Sequence, residues 1–225
     1  MPQATRHALT RSHVIAIAAA TLFAALIVAV TAAGDGPIGP DAAVRDWVVD
    51  HRTRGWIDTF QAIADSGNRV VPHLLAALAG ALVVPRAWPV GALVGAGALV
   101  AGQLIRYTLV NTLDRPRPPA AEWTTHVSNP SLPSGHATTA ALTAIGLAAA
   151  LLPHCHRRVT RALAVAVPAA WAVAVGASRL VLGVHWFSDV VAGWLLATVM
   201  TALALPPLGR ALGARSQGPT RAARP

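Results

Sequence analysis

The chain is poor in charge. Only 12% of its 225 residues are Asp, Glu, Lys or Arg, against about 25% in a typical soluble domain. With 54% hydrophobic residues and a mean hydropathy of +0.52, an ordinary water-soluble globule is excluded. Lysine is absent, so all 18 basic residues are arginine, opposed by nine acids for a net charge of +9. With alanine and glycine abundant, this points to a compositionally biased genome. Such a surplus can mark a nucleic-acid binder. Here the arginines are scattered at the ends of apolar blocks, so no nucleic-acid partner is expected. Cysteine occurs once, at Cys155, which excludes a disulfide within the chain. His154-Cys155-His156 offers metal-binding side chains, but adjacent residues rarely complete a tetrahedral set and no further cysteine exists. That tripeptide reads as a solvated turn, and neither a metal nor another cofactor is expected.

What the chain has in quantity is apolar blocks near the length of a bilayer span, about 20 residues. Six are legible: Val14–Ala33, Val70–Val84, Trp88–Val110, His136–Leu152, Ala162–Leu182 and His185–Leu205. The first is too long for the apolar region of a signal peptide, about 7–15 residues, and reads as a retained helix. The third carries Gly91, Gly95, Gly97 and Gly102, which permit close helix packing. Pro168 in the fifth is tolerable as a kink. Between the first two blocks, residues 34–69 are polar and hold six aspartates. Within them Asp41–Ala64 predicts one amphipathic interfacial helix anchored by Trp47, Trp56 and Phe60. The expected fold is therefore all-α: a polytopic membrane protein with six transmembrane helices in a bundle plus an extracytoplasmic interfacial helix. Residues 1–13 form a cytoplasmic segment, 14–205 the six-span domain, and 206–225 a basic, disordered cytoplasmic tail.

Charge sets the orientation. With six spans, the termini and the turns at 85–86 and 153–161 share one side, which holds ten arginines and no acid. The other side has the remaining eight arginines and all nine acids. The arginine excess marks the first side as cytoplasmic, so both termini are expected inside. The loops at 111–133 and 183–185 then face outward together. Arg45, Arg52, Arg54 and Arg69, also outside, read equally well as headgroup collectors or as a solvated face.

Three segments on that outer side carry chemistry. Asp114-Arg115-Pro116-Arg117-Pro118 presents two arginines stiffened by prolines, a preset anion grip that alone reads equally as a basic loop touching headgroups. Pro133-Ser134-Gly135-His136 opens a span. Ser134 is placed to cap it, Gly135 allows close backbone approach, the free N–H groups of a helix start suit phosphate, and His136 is a candidate proton donor. Alone it reads more simply as a helix cap with a surface histidine. The third segment runs from Ser178 to Asp189, with Arg179 as an oxyanion grip. If His185 onward is helical, His185 and Asp189 share a face at a spacing of four. The carboxylate then fixes one imidazole tautomer and leaves the other ring nitrogen free to attack. Ionisable groups in a membrane domain are expensive, and functional by default.

Together the three segments resemble the type 2 phosphatidic acid phosphatase superfamily, membrane lipid phosphatases related to bacterial acid phosphatases and vanadium haloperoxidases. That family's pattern is Lys-x6-Arg-Pro, Pro-Ser-Gly-His and Ser-Arg-x5-His-x3-Asp. Pro133–His136 and Ser178–Asp189 match the second and third completely. The first departs: Val110 stands where Arg117-Pro118 calls for lysine, and Thr108 where Arg115-Pro116 does. Arg106, one helical turn before Val110 and about 6 Å deeper, is expected to supply the missing cation by snorkelling outward.

The resemblance implies metal-independent, two-step phosphoryl transfer. His185 attacks phosphorus and becomes a phosphohistidine, Asp189 orients it, and His136 protonates the leaving oxygen and then activates water. Arg117, Arg179, Ser134 and the Gly135 N–H hold the phosphoryl oxygens, with Arg106 and Arg115 beside them. A bell-shaped pH profile is expected, because His185 must be neutral and His136 protonated. The implied partners are membrane lipids and a lipid phosphate substrate that enters sideways. Undecaprenyl diphosphate is the leading candidate, and phosphatidylglycerol phosphate and phosphatidate are others. A phosphotransferase on the same fold, or a lipid-phosphate-binding homologue weakened by Val110, are the alternatives. A transporter would account for the spans but for neither complete motif.

Overall fold

The computed structural model describes residues 3–216, and side chains over 11–208. Its regular structure among these residues is helical: α1 (Gln3–Ala32), α2 (Asp41–His51), α3 (Arg54–Ser66), α4 (Val70–Val83), α5 (Trp88–Leu113), α6 (Gly135–Leu151), α7 (Arg158–Val181) and α8 (Phe187–Ser216). Five of the helices, α1, α5, α6, α7 and α8, are long and apolar enough to cross a membrane, and α4 is a shorter apolar helix. Ile17, Leu93, Leu104 and Val167 are each more than half exposed. Large apolar side chains so displayed along several helices suit lipid contact rather than water.

α6 is the centre of the bundle and packs on α4, α5, α7 and α8. Its buried residues are small: Ala137, Thr138, Thr139, Ala140, Ala141, Thr143, Ala144 and Ala150. Small side chains let helices approach without a water-driven core. The α4–α5 pair is tighter still, since a Cβ on Gly80 would lie 2.0 Å from the Gly91 carbonyl oxygen, and one on Gly95 2.1 Å from that of Ala76. Gly97, expected among the packing glycines, meets nothing within 4 Å.

Three expectations are corrected. The segment expected as one helix over Asp41–Ala64 is two helices, α2 and α3, broken at Arg52-Thr53. Thr53 is extended and its hydroxyl accepts from Trp56 N, so a side-chain cap starts a second helix there. Trp47 and Trp56 still meet across the break as tilted rings with centroids 6.2 Å apart, and Phe60 follows Trp56 on α3 at 6.4 Å. The last helix starts at Phe187, not His185, because the Asp189 carboxylate reaches back to the Trp186 N–H at 2.9 Å and closes the helix start. It also continues through Pro206 and Pro207 to Ser216, whereas disorder was expected from residue 206. Residues 217–225 of that tail lie outside the described residues.

The C-terminal ends of α1, α5 and α7 and the N-terminal ends of α6 and α8 meet at one end of the bundle. Val30, Leu113, Leu132 and Ala192 pack there. α3 lies across α7, with Ile63 packed on the cluster of Ala140, Ala144, Ala172 and Val175 and Trp171 Nε1 donating to Ser66 Oγ at 3.0 Å. The α5–α6 loop is held onto this end by Arg52, which donates to the carbonyls of Glu122 (2.7 Å) and Val181 (3.1 Å). Arg45 forms an ion pair with Glu122. Both guanidiniums are thus engaged within the protein. Gly183, at φ +73°, makes this closure possible, because a Cβ there would meet the Glu122 carbonyl oxygen at 2.6 Å.

Candidate active site

A cavity of about 460 Å³ opens at this end of the bundle. Arg106 of α5, Arg117 of the following loop, Gly135 and His136 of α6, and Arg179 of α7 all line it. Four of the expected site side chains, from four segments, therefore face one space. The rest of the wall divides in two. Asn68, Gln103, Asn129 and Thr139 are neutral hydrogen-bonding groups, while Val100, Leu104, Tyr107 and Val127 are largely apolar. Among the described residues no carboxylate lines it.

Arg106 is buried, and its Nε donates to the Pro133 carbonyl at 2.8 Å. That contact turns the guanidinium across the start of α6. A Cβ on residue 135 would stand 3.0 Å from Arg106 Cζ, so glycine is what allows the approach. Ser134 takes the N-cap position of α6, yet its hydroxyl makes no capping bond, contrary to expectation. Among the described residues, Ser134 Oγ, Arg179 Nε and Trp194 Nε1 are the buried side-chain polar atoms without a hydrogen-bond partner. Two of the three belong to the expected phosphate grip. Buried polar groups are normally paired, so a pair of open donors beside a cationic cavity suits an anion.

His185 sits behind Arg117 rather than in the cavity wall, and is 5% exposed. Its Nδ1 lies 3.3 Å from Asp189 Oδ2 and its Nε2 3.0 Å from Arg117 Nη1. Both contacts suit one neutral tautomer, with Nδ1–H donating to the carboxylate and Nε2 accepting from the guanidinium. The i, i+4 spacing delivers this pair through the cap of α8, not along a helix face. Burial, and then the charges of Arg117, Arg179 and Arg106, hold the His185 pKa well below the usual histidine value. The ring is neutral at pH 7. Burial also lowers the Arg117 pKa to about 10, leaving the guanidinium cationic at neutral pH. Arg117 is anchored by the carbonyls of Asn129 (2.7 Å), Pro130 (3.1 Å) and Val184 (2.5 Å).

Arg115, expected beside the phosphate, is elsewhere. It is fully buried and away from the cavity, with its donors given to Asp35 O, Gly36 O, Asp41 Oδ2, Ser188 Oγ and Asp189 Oδ1. A guanidinium has five N–H groups, so none remains for a substrate oxygen. Arg115 and Arg117 are two residues apart, a spacing that would aim both the same way in regular extended backbone; in this proline-interrupted loop Arg117 lines the cavity while Arg115 turns to the buried carboxylates. Sequence reasoning missed Asp41, Asn68, Asn129, Gln103 and Ser188. Asp41 lies 147 residues from Ser188, a separation at which no local signal exists.

Comparison with known proteins identifies the family. The family model described as PAP2 superfamily matches residues 87–209. The decaprenylphosphoryl-5-phosphoribose phosphatase of Mycobacterium tuberculosis, in strains CDC 1551 / Oshkosh and ATCC 25618 / H37Rv, is 31% identical over 171 residues, 75% of this chain and 88% of the relative. Among solved structures, the first transmembrane PAP2 type phosphatidylglycerolphosphate phosphatase from Bacillus subtilis superposes with a TM-score of 0.66 at 21% identity, over 92% of this chain and 98% of that one.

Proposed function

The chain belongs to the PAP2 superfamily and is a multi-pass membrane phosphoric ester hydrolase, and from that premise we propose that it removes the terminal phosphate from a polyprenyl-linked phosphate, by a phosphohistidine on His185. A polyprenylphosphoryl phosphosugar is the preferred substrate class, since the relative at 31% identity is named for one. Undecaprenyl diphosphate, implied by the family resemblance alone, ranks second. The single observation that carries the reading is the convergence of Arg106, Arg117, His136 and Arg179 on one cavity, with the His185–Asp189 pair directly behind Arg117.

In the proposed reaction the arriving phosphoryl oxygens take the N–H groups of Arg117 and the open donors of Ser134 and Arg179. Arg117 turns from Nε2 to a phosphoryl oxygen, which frees the lone pair to attack phosphorus. The P–O bond between the terminal phosphate and the sugar oxygen breaks as the P–N bond forms, and His136 gives its proton to that departing oxygen. Asp189 balances the charge that grows on the ring. His136 then takes a proton from water, which attacks the phosphohistidine and releases inorganic phosphate. The proposed topology has six spans, including α4, both termini cytoplasmic and the site at the extracytoplasmic face, with α2 and α3 at the interface. The domain is residues 14–205, flanked by cytoplasmic segments 1–13 and 206–225.

The test is phosphate release by the purified enzyme from a panel: a polyprenylphosphoryl phosphosugar, undecaprenyl diphosphate, phosphatidylglycerol phosphate and phosphatidate. The phosphosugar should be turned over fastest. Rapid quenching with labelled substrate should trap acid-labile label on the wild type and none on His185→Ala. Release undiminished in His185→Ala would refute the mechanism. Transfer of phosphate to an added acceptor alcohol in preference to water would make the enzyme a phosphotransferase.

A further inference from the structure

Behind His185 lies a second, wholly buried charge cluster that joins the start of α2 to the loop before α6 and the start of α8. Asp41 is 1% exposed, and Arg115 and Asp189 are 0% exposed. Arg115 stands between the two carboxylates, 3.0 Å from Asp41 Oδ2 and 2.7 Å from Asp189 Oδ1. Ser188 ties the same pair: its hydroxyl donates to Asp41 Oδ2 at 2.6 Å and accepts from Arg115 Nη1 at 2.7 Å, and its N–H donates to Asp41 Oδ1 at 2.7 Å. Ile38 N completes the Asp41 shell at 3.0 Å. Every group is paired, as a buried ionic network must be if it is not to destabilise the fold.

We propose that Asp41 is a positioning residue for the phosphotransfer, acting through Arg115 on the carboxylate that holds His185. This rests on the functional reading above. The electrostatic reason is simple. One guanidinium set against one carboxylate would cancel Asp189, and little negative charge would remain to face the imidazole. With Asp41 present the cluster carries two carboxylates and one guanidinium, a net charge of −1 at the point where positive charge develops on His185. The geometric reason is independent. Asp189 Oδ2 is aimed at His185 because Oδ1 is held by Arg115, and Arg115 is itself held by Asp41 and by the Asp35 and Gly36 carbonyls. Asp41 lies outside the cavity wall, so its effect should fall on turnover and not on substrate binding.

Other charges face His185 from the packed elements: Arg106 on α5, Arg117 in the loop, His136 on α6 and Arg179 on α7. All remain in an Asp41→Asn variant, which removes one negative charge and keeps the shape. Its kcat should fall about tenfold, within the range over which a residue acting through intermediate contacts modulates a distant site, with KM within about twofold of wild type. Removing the carboxylate makes the protonated ring less favourable, so the acid limb of the kcat profile should move to lower pH. Nitrogen NMR of labelled imidazole follows the same protonation of His185 without any substrate, so it tests the cluster even if no lipid of the panel is hydrolysed. Ser188→Ala, which removes only the linking hydroxyl, should shift kcat and the His185 titration in the same direction by less. It serves as the test if Asp41→Asn does not fold. Unchanged kcat overturns the proposal. So does a lower kcat with the His185 titration unmoved, which would mark Asp41 as merely structural.

Discussion

At the scale of single residues, the departure of this chain from its family pattern is also its sharpest test. Val110 is fully buried and brings no charge, and one turn earlier on α5 Arg106 lines the cavity. If Arg106 replaces the missing lysine, Arg106→Ala should lower kcat/KM about a hundredfold, the usual effect of removing one oxyanion donor, and Arg106→Lys should restore part of it. Activity within a factor of two of wild type would end that assignment. Gly135→Ala makes a related prediction. Its methyl would press on the Arg106 guanidinium at 3.0 Å, so KM should rise while the protein still folds. Protonation can be read the same way. Because burial and three neighbouring arginines hold the His185 pKa well below 6.5, the nucleophile is neutral above that lowered value and charges only as pH falls through it. The acid limb of kcat/KM should therefore lie below pH 6.5. A limb at or above 6.5 would mean that the ring is solvated in the working enzyme.

At the scale of elements, the apolar blocks were legible because hydropathy and length act locally. Val70–Val84, Trp88–Val110 and His136–Leu152 each fall within three residues of α4, α5 and α6 at both ends. The α2–α3 break and the start of α8 slipped because local side-chain caps fix them. The break at Thr53 rests on one hydroxyl. The late start of α8 rests on the Asp189 carboxylate turning back to Trp186 N–H. Two motifs could be read as strings, and so Arg179, His136, His185 and Asp189 were foreseeable. The division of labour between Arg115 and Arg117 was not, because two arginines two residues apart look alike until the loop is folded. Thr53→Ala should lower stability by about 1 kcal/mol through loss of the α3 cap, measurable by denaturation in detergent. Gly183→Ala should cost more, about 1–3 kcal/mol, because it strains the backbone at φ +73° and collides with the Glu122 carbonyl.

At the scale of the whole molecule, the proposed topology puts Cys155 on the cytoplasmic side, between α6 and α7 at the end of the bundle opposite the cavity. Since it is the chain's one cysteine, it needs no background removed. A membrane-impermeant maleimide should leave Cys155 unlabelled in intact cells and label it after permeabilisation. A cysteine introduced at His126, exposed in the α5–α6 loop, should react in intact cells in a Cys155→Ser background. The reverse pattern would invert the molecule and place the chemistry inside.

The brevity of α4 reaches beyond the protein. Its 14 residues extend only about 21 Å, against about 30 Å of hydrocarbon. As a crossing it leaves a shortfall that the surrounding acyl chains must absorb by compressing. In the proposed topology that thinning would fall at the start of α4, next to the cavity-lining Asn68, and would bring headgroups toward the arginines. Reconstituted enzyme should therefore turn over faster in short-chain than in long-chain bilayers, with membrane thickness itself acting as a control on the reaction.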